Sequence, residues 1–249
     1  MAETIALAYR QWRLERRMFW RNPTAAFFSF TLPLIFLFLF GAIFSGDQET
    51  LNVIVPGILG LSVMSTTFNA LAMNITFLRE EGVLKRMHGT PMPPVSYLGG
   101  VAANAVSNAT VQIVIVVLAG RLFFGIGWPK DWVELAVFSV AGVAALAALG
   151  VAFSHVIPNF DAAPAYTNIV FLPVIFISGV FYDVDTAPQF IQDVARILPL
   201  THMIDGVSAA MVTGAPLTDH LGDLAVVVAW GLLGAFFAVR GFSWQAKRD

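Results

Sequence analysis

The densest group of charged side chains in the sequence covers residues 79–89, between two long apolar stretches. Its candidate docking residues are Arg79, Glu80, Glu81, Gly82, Lys85 and Arg86. Glu81 precedes Lys85 by four positions, the order in which an acid and a base stabilise a helix. Gly89 and the prolines after it are typical of a helix end. The pattern predicts a short, water-facing helix that docks onto a partner protein, although any water-facing loop also collects charge.

Polar side chains recur at helical spacing inside the two apolar stretches that flank this loop. The first stretch carries Ser62, Thr66, Asn69, Met73 and Thr76, and the second carries Asn104, Asn108 and Gln112. Asparagine and glutamine are unfavourable against lipid, so these faces should point into protein or water. Hydrogen bonding between helices explains the pattern. A path for a molecule with a polar head and an apolar tail also explains it, with all of these residues except Met73 as candidates.

Residues suited to catalysis are sparse. The sequence has no cysteine, and its four histidines are far apart, so no metal site is predicted. Ser154 and His155 form the one adjacent pair that a membrane-embedded enzyme could use, but neighbours on a helix do not face each other. A Gly-x-x-x-x-Gly-Lys-Ser/Thr loop, which cradles the phosphates of ATP, is not found. We therefore expect no catalytic residue, no cofactor bound by this chain and no nucleic-acid partner.

The composition indicates that lipid surrounds much of the chain. Its 249 residues are 57% hydrophobic and 12% charged, against about 25% charged in a typical soluble domain. Six apolar stretches each approach or exceed the roughly 20 residues that cross a bilayer as a helix. They cover residues 24–45, 51–78, 96–124, 132–156, 163–182 and 221–240. The prediction is an all-α integral membrane protein with six transmembrane helices.

Lysine and arginine are concentrated on one side of this predicted topology. All except Arg121, Lys130 and Arg196 fall before the first stretch, in the loop after the second, or from the end of the sixth onward. Loops and ends rich in these residues remain in the cytoplasm. Both termini are therefore expected in the cytoplasm, which requires an even number of spans.

Two further segments are predicted as amphipathic helices outside the spans. In residues 1–23, Arg10, Arg13, Arg17 and Arg21 share one helical face, as in helices that lie at the membrane interface. In residues 183–220, apolar side chains repeat at helical spacing after Pro188, and a second short helix is plausible over residues 201–212. These two short helices are expected at the outer membrane edge.

The charged loop resembles a known family. Residues 79–91 read Arg-Glu-Glu-Gly-Val-Leu-Lys-Arg-Met-His-Gly-Thr-Pro, which is similar to the first cytoplasmic loop of type-two ATP-binding-cassette (ABC) exporter permeases. These are the bacterial subunits that export drugs, lipids or polysaccharides, and the daunorubicin-resistance-like group fits best. Ile177-Ser-Gly-Val-Phe and Leu198-Pro-Leu-Thr-His, with Asp205 after them, resemble the same family. This chain has Val83 where threonine is common and His202 where tyrosine is frequent.

The resemblance implies a single permease domain over residues 1–249. Its parts would be an interfacial elbow helix (1–23), helices one to five (24–182), the ATPase-coupling loop (79–94), re-entrant outer helices (183–220), and helix six with a cytoplasmic tail (221–249). Two permease copies or homologues would pair with two ABC ATPase subunits, which hold the ATP and Mg²⁺, in a bacterial inner membrane. The expected cargo is a hydrophobic drug, a lipid or a glycolipid. A polysaccharide-exporting permease and a nucleotide-independent membrane transporter are the alternatives.

Overall fold

The computed structural model describes residues 2–89 and 92–241, and within those ranges every regular element is a helix. The first half contains α1 (Ala2–Arg21), α2 (Pro23–Ile43), α3 (Gln48–Met64), a π-helix (Ser65–Asn69), α4 (Ala70–Glu80), α5 (Val83–His88) and α6 (Pro94–Phe124). The second contains α7 (Trp132–Ser154), α8 (Ala163–Ile177), a 3-10 turn (Val184–Thr186), α9 (Gln189–Ala195), α10 (Pro199–Ser208), a π-helix (Ala209–Thr213), a 3-10 turn (Leu217–His220) and α11 (Leu221–Gly241). The predicted tail, including Lys247 and Arg248, lies outside the described residues, as do Thr90 and Pro91 of the loop motif.

Among the described residues, four helices are long and apolar enough to cross a membrane. They cover Gln48–Glu80, Val95–Phe124, Trp132–Ser154 and Leu217–Gly241. Two shorter apolar helices, Phe30–Ile43 and Ala163–Ile177, coincide with the predicted first and fifth stretches. The protein is therefore an all-helical membrane protein with at least these four candidate spans.

The fifth apolar stretch ends earlier than its sequence predicted. Helix α8 stops at Ile177, whereas the apolar pattern continued to Tyr182. Gly179 has φ +73°, the left-handed conformation that closes helices, and Val180 N–H bonds back to the carbonyl of Ile175 at 3.4 Å. Local backbone chemistry, which hydropathy does not register, therefore sets the length of α8.

Helix α7 lies at the centre of the bundle and packs against α11, α10, α4, α6 and the first π-helix. Small residues allow this close approach. A methyl group on Gly150 would lie 2.6 Å from the carbonyl oxygen of Phe68 in the π-helix. Gly142 similarly leaves room for the side chain of Met203 on α10. Small residues at helix contacts are characteristic of membrane bundles, where close packing replaces the hydrophobic effect between helices.

The outer surface of the bundle is strongly apolar. Large hydrophobic side chains are exposed along α2, α6, α8 and α11, and they include Phe27, Phe38, Leu122, Ile169, Phe176, Leu232 and Phe236. A soluble protein rarely exposes such a continuous apolar surface. Lipid is the solvent that this surface fits.

Candidate translocation cavity and docking loop

The second span is interrupted near its middle by the π-helix at Ser65–Asn69. The hydroxyl of Thr66 donates to the carbonyl of Ser62 at 2.8 Å, and that of Thr67 donates to the carbonyl of Val63 at 2.6 Å. A π-helix of one or two turns inside an α-helix often marks a functional position. Here it coincides with part of the polar face that the sequence singled out.

A cavity of about 300 Å³ opens between α1, α6 and this second span. Its polar lining comes from all three elements, and apolar side chains complete the walls. The lining residues are Glu15, Met18, Phe19, Asn22, Phe30, Thr66, Ala70, Leu71, Asn74, Val101, Asn104, Ala105 and Asn108. We call it the amphiphilic cavity, because it combines amide, hydroxyl and carboxyl groups with aromatic and aliphatic surface.

The structure divides the seven predicted path residues into two groups. Thr66, Asn104 and Asn108 line the amphiphilic cavity. The other four are Ser62, Asn69, Thr76 and Gln112, which are not among its lining residues. Only part of each polar face therefore reaches the amphiphilic cavity.

The second group is held within the helix packing. Ser62 and Thr76 are wholly buried, and their hydroxyls bond to carbonyls of their own helix at 2.7 and 2.8 Å. Gln112 is also wholly buried, and its amide N–H lies 3.4 Å from the carbonyl of Phe30. Asn69 is partly buried in the π-helix. Hydrogen bonding inside the helix accounts for Ser62 and Thr76, whereas the carboxamide oxygen of Gln112 has no hydrogen-bond partner among the described residues.

Helix α1 contributes a polar wall that sequence reasoning missed. Gln11 and Glu15 are buried against α6, and the Gln11 amide donates to the Glu15 carboxyl at 2.8 Å. Burial raises the pKa of Glu15, while the hydrogen bond from Gln11 opposes that rise. The usable signal was their spacing of four, which places both side chains on one helical face.

Helix α1 runs alongside the first half of α6 rather than crossing it at one point. Near its start, the Ser96 hydroxyl donates to the Thr4 carbonyl at 3.0 Å. Three turns further along α6, the Ser107 hydroxyl accepts a hydrogen bond from the Trp12 indole N–H at 3.0 Å. The 31 residues of α6 span about 46 Å at 1.5 Å per residue, more than a hydrocarbon core of about 30 Å. Part of α6 can therefore extend beyond the core together with α1.

Two residues of the charged loop contact the turn that follows α7. Arg79 is only 3% exposed, and its guanidinium donates to the carbonyls of Ser154 at 3.0 Å and Ile157 at 2.6 Å. The Glu80 carboxylate accepts from the backbone N–H of Phe160. Arg79 thereby caps the last turn of α7, where helix carbonyls lack partners. Together the two side chains fix the turn between α7 and α8 to the end of the second span.

The other charged residues of the loop face outward. Glu81, Lys85 and Arg86 are exposed, and α5 carries the latter two. Gly82 links α4 to α5 with φ +69°, a conformation that side chains rarely adopt. The predicted short helix is present, and its exposed charges are free to meet another protein.

At the opposite end of the bundle, α9 and α10 fold back along the long helices. The Trp230 indole N–H, nine residues into α11, donates to the carbonyl of Ile197 at 2.7 Å. Gly60, twelve residues into α3, makes room for the side chains of Ile204 and Leu200. Pro199 begins α10, and the helix before it has already ended at Ala195.

These features define a polytopic helical membrane protein with a charged loop between two candidate spans. A family model described as ABC-2 type transporter matches residues 2–212. The chain therefore belongs to the ABC-2 type transporter family, as its loop motif predicted. Members of this family are the transmembrane subunits of ABC transporters, and they work with a separate ABC ATPase subunit.

Named relatives agree with this assignment. The chain is 33% identical to nodulation protein J of Rhizobium leguminosarum bv. trifolii over 134 residues, which are 53% of this chain and 50% of that protein. It is 24% identical to the inner membrane transport permease YadH of Escherichia coli K12 over 217 residues, 82% of this chain and 84% of that protein. It is 23% identical to the linearmycin resistance permease protein LnrN of Bacillus subtilis over 173 residues, 70% of this chain and 44% of that protein. The match thus spans about half of the first relative's length.

Proposed function

We propose that this chain is the permease subunit of an ATP-driven ABC exporter that moves a hydrophobic drug, a lipid or a glycolipid out of the cytoplasm or the inner leaflet. The amphiphilic cavity carries this proposal. Its amides Asn104 and Asn108 offer hydrogen bonds, and Phe19 and Phe30 offer apolar surface. Its volume of about 300 Å³ is at the small end of ligand pockets. It suits the polar head of an amphiphile whose apolar tail remains in lipid.

The proposed topology has six spans with both termini in the cytoplasm. Helices α2 and α8 serve as the first and fifth spans, because both are apolar and expose large hydrophobic side chains. Helices α9 and α10 then re-enter the outer leaflet, which suits their contacts with the interior of α3 and α11. The arginine-rich face of α1 lies at the inner interface, in a bacterial inner membrane.

The proposed assembly contains two permease copies or homologues and two ATPase subunits. Exposed Glu81, Lys85 and Arg86 beside α5 form the ATPase-docking surface. Arg79 and Glu80 support it by fixing the neighbouring turn. A two-fold pair of permeases would build a symmetric path between them. ATP and Mg²⁺ are held by the ATPase subunits.

The first test is purification of the tagged chain from native membranes in mild detergent, followed by mass spectrometry. A stoichiometric soluble subunit with a phosphate-binding loop supports the exporter. A chain that purifies without any ATPase across several mild detergents contradicts it and favours a nucleotide-independent transporter.

The second test addresses the amphiphilic cavity. Inside-out vesicles are loaded from outside with a fluorescent phospholipid or a hydrophobic dye, and ATP-dependent uptake is measured. Asn104→Leu and Asn108→Leu should each lower the uptake of the transported probe at least about tenfold, which corresponds to about 1.4 kcal/mol. Thr110→Val is the matched control, because Thr110 is exposed on α6 and bonds only to its own helix. Equal losses in the control and the cavity variants would argue against this cavity as the path.

A further inference from the structure

A cluster of histidine and carboxylate side chains joins α10 to the start of α11. His202 Nδ1 lies 2.7 Å from Asp223 Oδ1, and His220 Nδ1 lies 3.1 Å from Asp223 Oδ2. Asp205 is one turn after His202 on α10. One nitrogen of His202 and one oxygen each of Asp205 and Asp223 all lie within 4.8 Å of one another. Three groups that commonly bind metals therefore converge from two helices.

The orientation of His202 leaves one nitrogen available to the cluster. Its Nε2 lies 2.8 Å from the carbonyl oxygen of Arg196. A carbonyl oxygen can only accept, so Nε2 carries the proton and donates it. Nδ1 then faces the Asp223 carboxylate at 2.7 Å, and a metal ion entering between them would replace the proton of that contact. Histidines that bind metals usually donate their second N–H to a carbonyl or carboxylate in this way, which fixes the ring and its tautomer.

Negative charge near this cluster exceeds its visible compensation. Asp205 lies on the wall of a cavity, close to the carboxylate of Asp223. Glu134, in the first turn of α7, is wholly buried, and neither of its carboxyl oxygens has a hydrogen-bond partner among the described residues. It is close enough to His220 for their charges to interact. Buried carboxylates require a counter-charge or a proton.

The adjoining cavity also presents unused ligand groups. It has a volume of about 360 Å³, and Asp205 lies on its wall. Ser178 and Thr201 line the same cavity and are 1% and 5% exposed. Within the part of the chain that the structure describes, neither hydroxyl oxygen has a hydrogen-bond partner. Buried polar groups are normally hydrogen-bonded, so these two point to a bound polar species such as an ordered, hydrated ion.

We propose that His202 Nδ1 and the carboxylates of Asp205 and Asp223 bind a divalent first-row transition cation, with Zn²⁺ as the reference ion. One imidazole with two carboxylates is a common ligand set for such an ion, and water from the cavity or His220 can complete it.

The required rearrangement brings the ligand atoms, which lie within 4.8 Å of one another, to their metal-bound spacing. Two ligand atoms bound to Zn²⁺ at about 2.0 Å and at a tetrahedral angle lie about 3.3 Å apart. The contact between His202 Nδ1 and Asp223 Oδ1 is 2.7 Å and opens by about 0.6 Å when the ion enters. Since His202 and Asp205 belong to α10 and Asp223 belongs to α11, the ion ties the short outer helix to the last long helix.

The test uses the purified full-length chain after tag removal and treatment with a chelator. Co²⁺ titration followed by visible absorption should show one saturable site per chain, and Zn²⁺ should displace the Co²⁺. His202→Ala, Asp205→Asn and Asp223→Asn should each weaken Co²⁺ binding at least about tenfold. His202→Cys should retain binding, because a thiolate is also a good ligand.

The matched controls are His155→Ala and Asp193→Asn, which remove a histidine and an aspartate outside the cluster and should leave Co²⁺ binding unchanged. Size-exclusion chromatography verifies that every variant remains folded. The proposal fails if the wild-type chain shows no saturable Co²⁺ site, if binding survives all three cluster substitutions, or if the controls lose it equally.

Discussion

The two ends of the helix bundle bury charge in different ways. At the docking-loop end, the Arg79 guanidinium is satisfied by two backbone carbonyls at the end of α7. At the short-helix end, His202 and His220 share the carboxylate of Asp223. Imidazole and carboxylate groups are also ligands for metal ions. The first arrangement therefore only fixes two segments to each other, whereas the second can also bind a cation.

The comparison also shows that a high local density of charge does not assign one role to every residue. Within the docking loop, Arg79 and Glu80 hold the turn between α7 and α8, while Glu81, Lys85 and Arg86 remain exposed. Arg79 and Glu80 position the loop, and the other three are available to a partner. Substitutions of Arg79 or Glu80 should therefore lower stability, whereas substitutions of the other three residues should weaken the coupling of ATP hydrolysis to export.

The largest expected effect follows the loss of the hydrogen bonds that Arg79 donates to the end of α7. Arg79→Leu leaves the carbonyls of Ser154 and Ile157 without their donor in a buried site. Hydrogen bonds to charged groups contribute about 1.5–3 kcal/mol each, so we expect a loss of about 3 kcal/mol. Thermal unfolding in detergent, followed by tryptophan fluorescence, measures it. Arg86→Leu, at an exposed position, should change stability by less than about 0.5 kcal/mol, and equal losses would refute the distinction.

The next effect should appear in coupling and not in stability. Glu81→Lys or Arg86→Glu reverses an exposed charge on the proposed ATPase-docking surface. Like charges facing each other across an interface disfavour binding. We expect ATP-driven export to fall at least about tenfold, equivalent to about 1.4 kcal/mol, with an unchanged melting temperature. Asp193→Lys, an exposed reversal at the other end, should retain export. Full export by both variants would show that these charges are not needed for docking to the ATPase subunit.

A smaller effect is expected from weakening the contacts of His202 and His220 with Asp223. Asp223→Asn in chelator-treated protein removes the negative charge that both His202 and His220 contact, although all three side chains are partly solvated. We expect a loss of about 1 kcal/mol, confined to the packing of α10 on α11. Hydrogen exchange of α10 amides should accelerate, while exchange in α5 remains the same. Unchanged exchange in α10 would mean that apolar packing alone holds the short helix.

The sequence predicted the features that rest on contiguous patterns. Hydropathy located the apolar helices, and the spacing of Glu81 and Lys85 predicted a short helix in the loop. The His202–Asp223 cluster was not predicted, since its members are 21 positions apart and only the packing of α10 on α11 brings them together. The burial of Arg79 could not be predicted, because it depends on contacts with the carbonyls of Ser154 and Ile157, far along the chain. Periodicity identified the polar faces but could not decide which polar residues reach a cavity.

Glu15 is a third buried ionisable side chain. It differs from the other two cases because its hydrogen-bond partner is the neutral side chain of Gln11. Burial raises the pKa of Glu15 in the folded protein above its unfolded value. The folded state then retains the proton more readily, so this stabilising contribution is full below the unfolded pKa and is lost as pH rises through the folded pKa. Docking of α1 on α6 should be tighter at acidic than at neutral pH. In Glu15→Gln this pH dependence should disappear, with tighter docking at neutral pH. Hydrogen exchange of α1 amides against pH measures this, with Glu81→Gln as the exposed control. A pH profile that persists in Glu15→Gln would assign it to another group.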